Sequence, residues 1–358
     1  MNTESGSPGN DHCGDETNQV AAPMMKVQVE ETDVYIVGTS YSGSTLLGNA
    51  LNGHPSIAYA GEVQRLTFFD TLNNPQRECF VCSRGGHLAA GRTCPVWNDA
   101  VRERLEAAGP NGATAVLREA TGVPVVVDGS KDVEWLRRVF PDAASADGRR
   151  VRVIMTVRHP FSFAATCKRR DSMAAWESSN MWRDTIFDAF RTLSRLNFPF
   201  TVVRYEEFAY QPEPVLRQLC GFIGIPWDQA MLEFWNKPVH PVGGNPGGYV
   251  WYPQYRDSIS TRKTYTVEND REVSMRYAQR QFGGWVDDKW RDLLCDAEID
   301  MVMTTPMLVG MATQVGYDAA QFRIPLRAPE TEPAVPAAPA EHSAPEATAE
   351  QPSMSAQG

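Results

Sequence analysis

The chain has 358 residues, 42% of them hydrophobic and 22% charged, which is enough apolar material for one large α/β domain or two small ones. A formal net charge of −10 argues against a general nucleic-acid binder, which would carry a basic face, but leaves room for a local basic pocket. The longest late apolar stretch, near 301–312, is too short and too interrupted to span a bilayer.

Residues 1–32 are polar and acidic with no apolar core of a signal peptide, and read as a disordered segment. The run VYIVG (34–38) then predicts a buried strand, and Leu46, Leu47, Ala50 and Leu51 follow at helical spacing. Between them lies G-T-S-Y-S-G-S-T (38–45), with the Gly-x4-Gly spacing of a phosphate-binding loop. Such a loop offers backbone N–H groups at a helix N-terminus, and here also the hydroxyls of Ser42, Ser44 and Thr45. Ser44 stands where a nucleoside-triphosphate enzyme carries lysine. A loop without that charge suits a less anionic transferring group that needs no metal, and a sulfuryl group, with one negative charge, fits. His54, before Pro55, reads as a helix-terminus residue rather than a base.

A cysteine-rich insertion follows (79–97). Cys79 and Cys82 form a C-x2-C pair, with His87 and Cys94 close behind. A structural zinc site of three Cys and one His is one reading. A loop of buried or free thiols is favoured over it, because a second C-x2-C is absent, and no metal ligand is assigned. The seven cysteines otherwise read as dispersed, reduced thiols of a cytoplasmic protein.

Further along, VPVVVD (123–128), VRVIMTV (151–157) and FPFTVVRY (198–205) read as strands, each followed by a polar turn and a helical pattern. Alternation of this kind predicts an α/β fold, a P-loop-like three-layer sandwich with a central parallel sheet and helices on both faces. In such sheets ligands bind beyond the C-terminal strand ends, where Gly38–Thr45, Asp128–Lys131, Arg158–Thr166 and Tyr205 would converge. Arg158, with Ser162 and Thr166 on one face of the next helix, makes a second phosphate site at some distance from the first. The stripe Trp176, Met181, Trp182, Ile186 and Phe190 reads as core packing. The Gly-rich HPVGGNPGGY (240–249) reads as a flexible lid or acceptor loop, with Arg262 and Lys263 beyond it. From residue 327 the chain is a Pro/Ala-rich tail, read as disordered, so the folded domain is placed at 33–326.

Two anion sites on one sheet edge suit a nucleotide with anions at two positions. GTSYSGSTLLGNALNGHP, VVVDGSKDVEWL, VRHPFSFAATCKRR and VVRYEEFAYQPEPVLRQLCGFIGIP together resemble sulfotransferases that use 3′-phosphoadenosine-5′-phosphosulfate (PAPS), over roughly residues 33–318. HPSIAYAGE (54–62) is similar to tyrosylprotein and related bacterial members.

The resemblance implies transfer of a sulfuryl group from PAPS to an acceptor hydroxyl, or less readily an amine, releasing adenosine 3′,5′-bisphosphate without a metal. It implies that Tyr41, Ser42, Gly43, Ser44 and Thr45 hold the 5′-phosphosulfate, and that Arg158 and Thr166 hold the 3′-phosphate. Tyr205 would face the adenosine, Glu62 would be the general base, and Lys131 would stabilise charge as the S–O bond breaks. Desolvation of Glu62 would raise its pKa. The acceptor class (small molecule, carbohydrate, lipid or peptide) is not written in the chain. One departure is Tyr41, where the family carries Lys or Arg next to the leaving phosphate. The alternatives are a P-loop kinase that uses Asp128 to hold Mg²⁺, and a catalytically impaired nucleotide-binding protein.

Overall fold

The computed structural model describes residues 29–69, 79–84, 94–146, 148–253, 255, 276 and 279–322. Most of the acidic N-terminal segment, His87, the 262–263 basic pair and the 327–358 tail lie outside these. Strand β1 (Thr32–Gly38) is buried at every residue, as its continuous apolar run requires of a strand covered on both faces. It pairs in parallel with β3 (Val125–Lys131) on one side and β4 (Val151–Val157) on the other. Beyond these lie β2 (Ile57–Gly61) and β5 (Phe200–Arg204), also parallel, giving the order β2-β3-β1-β4-β5.

This order places a topological switch at β1, because the chain leaves β1 toward β2 and later returns past it to β4 and β5. Right-handed crossovers then put α1 (Ser44–Asn52) on one face. After the short α2 (Phe80–Arg84), they put α3 (Asp99–Thr121), α4 (Val133–Val139) and, past α5 (Pro160–Asp171), α6 (Ala175–Leu196) on the other, where α4 packs against both α3 and α6. The three-layer sandwich with a parallel central sheet is therefore as expected. The crevice forms where β1, β3 and β4 end together.

Three local differences have physical causes. Strand β2 was not anticipated, because IAYAG is short and enclosed by Pro55 and Gly61. Strand β3 continues through Gly129 and Ser130 to Lys131, where the polar composition suggested a turn. Tyr35 pairs with Asp128 but Val37 with Lys131, so β3 advances three residues while β1 advances two; this bulge re-aims the strand end. The α6 stripe is only partly core: Trp182 and Ile186 are buried, whereas Trp176 and Met181 face outward. Their spacing leaves the arc that packs on the sheet, so the helix buries a narrower stripe than the apolar count suggests.

Candidate functional site

The loop between β1 and α1 is shaped by two glycines. Gly38 has φ +133°, and a Cβ there would lie 2.0 Å from the Thr156 carbonyl oxygen, so only glycine lets β1 and β4 approach this closely. Gly43, in the left-handed region with φ 79°, is the N-cap of α1 and supplies no capping side chain. The first N–H groups of α1 are therefore left for an external acceptor, and the helix dipole favours an anion there. Among the described residues the Ser44 hydroxyl has no hydrogen-bond partner, and the Thr39 Oγ1 is buried without one. These groups fit an anionic ligand.

The other loop hydroxyls are engaged. Ser42 donates to the Thr39 carbonyl at 2.6 Å and lies 2.8 Å from the Thr156 hydroxyl, so its side chain ties the loop to β4 rather than facing a ligand. The Asn245 N–H donates to Thr45 Oγ1 at 3.1 Å, and Asn49 Nδ2 donates to the Gly248 carbonyl at 2.7 Å. The Gly-rich segment 243–248 is thus packed down on α1.

Tyr41 takes a positive φ of 60°, unusual for a side chain of its size. Its hydroxyl lies 3.0 Å from both carboxylate oxygens of Asp171, at the end of α5 (Pro160–Asp171), and the Arg170 guanidinium sits 5.6 Å from its ring centroid. Burial, then the Asp171 carboxylate, push the phenol up to about 12, so it stays protonated. Arg170 thus brings a cation to the Tyr41 ring.

Glu62 follows β2 directly and is 2% exposed. Its N–H donates to the Val242 carbonyl at 2.6 Å, and Gly61 pairs with Val242 as a parallel bridge. Lys131 Nζ donates to Glu62 Oε1 at 2.5 Å, and Arg65 Nε donates to Oε2. Burial pushes the Glu62 carboxyl up, but Lys131 and Arg65 outweigh it and hold the group below the usual range. This corrects the expectation of a desolvated, raised pKa, because two cations rather than apolar surface enclose the carboxylate. Lys131 sits at φ +67°, a strained conformation for a non-glycine residue, beside Val37 and so next to the start of the anion loop.

Arg158, at the end of β4, is held from four directions. Its Nη1 donates to Thr166 Oγ1 at 3.0 Å and to the Tyr41 carbonyl at 3.2 Å. Its guanidinium stacks 4.9 Å from the Tyr205 ring centroid, and Asp287 accepts from Nε at 2.6 Å and Nη2 at 2.7 Å. Trp182 Nε1 donates to its backbone carbonyl at 2.8 Å. Burial alone would lower the Arg158 pKa, yet Asp287 more than compensates and the guanidinium stays charged. Thr166 in turn donates to the Ser162 carbonyl. Arg158 bonds the loop itself, and the Tyr205 ring lies 2.5 Å from where a Gly43 Cβ would sit, so the Arg158–Thr166 pair adjoins the loop.

Asp128 has a local role: it accepts from Ser130 N–H at 2.9 Å, from the Ser130 hydroxyl and from Trp135 Nε1 at 2.7 Å. It is fully enclosed, and burial pushes its carboxyl up to about 6. His54 accepts the Ser56 N–H at Nδ1, and its Nε2 lies 2.9 Å from the Pro226 carbonyl, a satisfied structural histidine.

Sequence reasoning missed Arg65, Asp171 and Asp287. The Glu62/Arg65 spacing of three residues was the available signal for the first. The other two are brought in from 130 and 129 positions away and carried no sequence signal.

A family model described as "Sulfotransferase family" matches residues 33–229, more than half of the chain. No curated protein matches it. Among solved structures, the sulfotransferase domain of the Synechococcus PCC 7002 olefin synthase is 18% identical, over 82% of this chain and 98% of that one, with a TM-score of 0.46. The sulfotransferase domain from the curacin biosynthetic pathway is 17% identical, over 80% and 97%, with a TM-score of 0.48. The sulfotransferase STF9 of Mycobacterium avium is 14% identical, over 70% and 77%, with a TM-score of 0.32.

Proposed function

The chain belongs to the sulfotransferase family, and we propose that its donor is PAPS, its acceptor a hydroxyl and its second product adenosine 3′,5′-bisphosphate. The observation that carries this reading is the uncapped N-terminus of α1 lying beside the Glu62–Lys131 pair, with Arg158 bonded to the same loop. The N–H groups after Gly43, with the Ser44 hydroxyl, hold the 5′-phosphosulfate, while Thr45 braces the loop through Asn245. Arg158 and Thr166 receive the 3′-phosphate. The Asp287 carboxylate spans the guanidinium fork in the way a phosphate would, so Asp287 gives way when the nucleotide binds.

Transfer is in line. The acceptor oxygen forms a bond to sulfur and gives its proton to Glu62, while the bond from sulfur to the 5′-phosphate oxygen breaks and the bisphosphate leaves with that electron pair. Lys131 stabilises the charge that grows on the bridging oxygen. In the resting site it neutralises Glu62, so proton uptake by Glu62 releases the ammonium to the leaving group.

Binding of adenosine 3′,5′-bisphosphate should raise the melting temperature, by about 2.7 kcal/mol of stabilisation at a hundredfold excess over Kd, and ATP with Mg²⁺ should do so much less. Equal stabilisation by the two would overturn the donor assignment in favour of a P-loop kinase. Transfer of labelled sulfate to sugars, phenols, lipids or peptides identifies the acceptor class. No transfer to any of them would favour a nucleotide-binding protein without activity. Among the described residues no helix is long and apolar enough to cross a membrane.

A further inference from the structure

Cys79, Cys82 and Cys94 are buried free thiols whose sulfurs surround one imidazole nitrogen. The distances from His240 Nδ1 to the Sγ atoms of Cys79, Cys82 and Cys94 are 3.9, 3.3 and 3.6 Å, and the four donor atoms all lie within 4.8 Å of one another. Zinc bonds of 2.3 Å to sulfur and 2.0–2.1 Å to nitrogen at the tetrahedral angle require S···N separations of about 3.6 Å. Three thiols packed as apolar side chains have no reason to converge on one ring nitrogen at that spacing. Two of the sulfurs also accept backbone N–H groups three residues on, Cys79 from Cys82 and Cys94 from Trp97, each at 3.4 Å, which fixes where those sulfurs point. Trp97 Nε1 donates to the His240 carbonyl at 2.5 Å, fixing the imidazole's backbone.

We propose that Cys79, Cys82, Cys94 and His240 form a structural zinc site that locks the 240–249 segment against the transfer site. The set is closed, three thiolates and one imidazole with no open position, as in structural rather than catalytic sites. His87, the fourth ligand suggested by spacing, lies outside the described residues; His240 comes from 146 positions beyond Cys94 and was invisible to a local motif. What the metal would secure is specific. The Phe80 N–H donates to the Pro241 carbonyl at 2.8 Å, and Val242, two residues after the ligand, exchanges bonds with Ala60 and Glu62. Tyr249 packs on Phe80 and donates to the Gly243 carbonyl. The ion would thus hold the strand that anchors the Glu62 backbone. The site stands independently of the donor assignment.

The test is metal analysis of the full-length protein purified under reducing conditions, together with cobalt replacement. Wild-type protein should carry about one zinc per chain, and its cobalt form should show intense tetrahedral d–d bands with thiolate-to-metal charge transfer. Cys82→Ser and His240→Gln should each lower zinc content at least about tenfold, while His87→Gln retains it. Should the ligand variants not fold, the cobalt spectrum of the wild-type protein decides by itself. Protein that carries no zinc and gives no cobalt–thiolate spectrum overturns the proposal, as does an iron–sulfur absorption spectrum. Loss of zinc in His87→Gln with retention in His240→Gln overturns the ligand set.

Discussion

Asp287 closes Nε and Nη2 of Arg158 with its two carboxylate oxygens, and its side chain is 3% exposed. Under the proposed donor assignment, the contact competes with the 3′-phosphate for one guanidinium fork. Asp287→Asn removes the competing charge and should tighten adenosine 3′,5′-bisphosphate binding about tenfold by calorimetry, an effect of about 1.4 kcal/mol. Arg158→Lys keeps the charge but loses the fork, and should weaken binding by about tenfold or more. Weaker binding in Asp287→Asn would make the pair structural and move the 3′-phosphate elsewhere.

Glu62→Gln should lower kcat by about 10²–10⁴-fold while leaving nucleotide affinity unchanged, because it removes the proton acceptor but no nucleotide contact. Unaltered kcat would refute the base assignment and leave the nucleotide site standing.

Lys131→Met exposes a sign that can be checked. Lys131 and Arg65 hold the Glu62 carboxyl below its ordinary range, so the ionised base persists to low pH. Removing Lys131 leaves burial less opposed and raises the Glu62 pKa, and the acidic limb of the kcat/KM profile should move to higher pH. A fall in kcat of about 10²–10³ should accompany it if Lys131 also serves the leaving oxygen.

Asp128 predicts a pH dependence of stability. Its folded pKa of about 6 exceeds the usual carboxylate value, so between pH 4 and 6 the folded chain binds more protons than the unfolded one. Its contribution therefore falls as pH rises through that window, by about 3 kcal/mol at most, and is level above it. Asp128→Asn should flatten denaturation midpoints measured across the same range.

Tyr41→Phe tests whether the phenol serves the leaving group. Its hydroxyl is directed to Asp171, so nucleotide affinity and kcat should change by no more than about threefold, with a stability loss of about 1 kcal/mol. A larger fall in kcat would return Tyr41 to the reaction.

The central strands were legible because β1 and β4 are continuous apolar runs, which buried parallel strands require. Strand β2 was not, since the five residues Ile57–Gly61 give too short a pattern. The Gly-rich loop at 38–45 and the Arg158–Thr166 pair could be picked out as candidates because each lies within a dozen residues of chain. Asp287 against Arg158, Asp171 against Tyr41 and Val242 against Glu62 join residues more than a hundred positions apart. No local pattern encodes such contacts, and they decide which of the expected groups are free: the Ser44 hydroxyl is, while Ser42, Thr45 and Arg158 are already engaged.

The parallel bridge between Gly61 and Val242 has a consequence for how the protein acquires its site during synthesis. All five strands are complete by Arg204, and the family match ends at residue 229. Yet the partners of the Glu62 N–H, of Thr45 Oγ1 and of Asn49 arrive only with Val242, Asn245 and Gly248. A nascent chain released at 229 would hold the whole sheet and an unbraced transfer centre. Closing loops of this length comes late in folding because their entropy must be lost before the contacts reward it. The strands of the sheet are therefore synthesised before the segment that braces Glu62, Thr45 and Asn49.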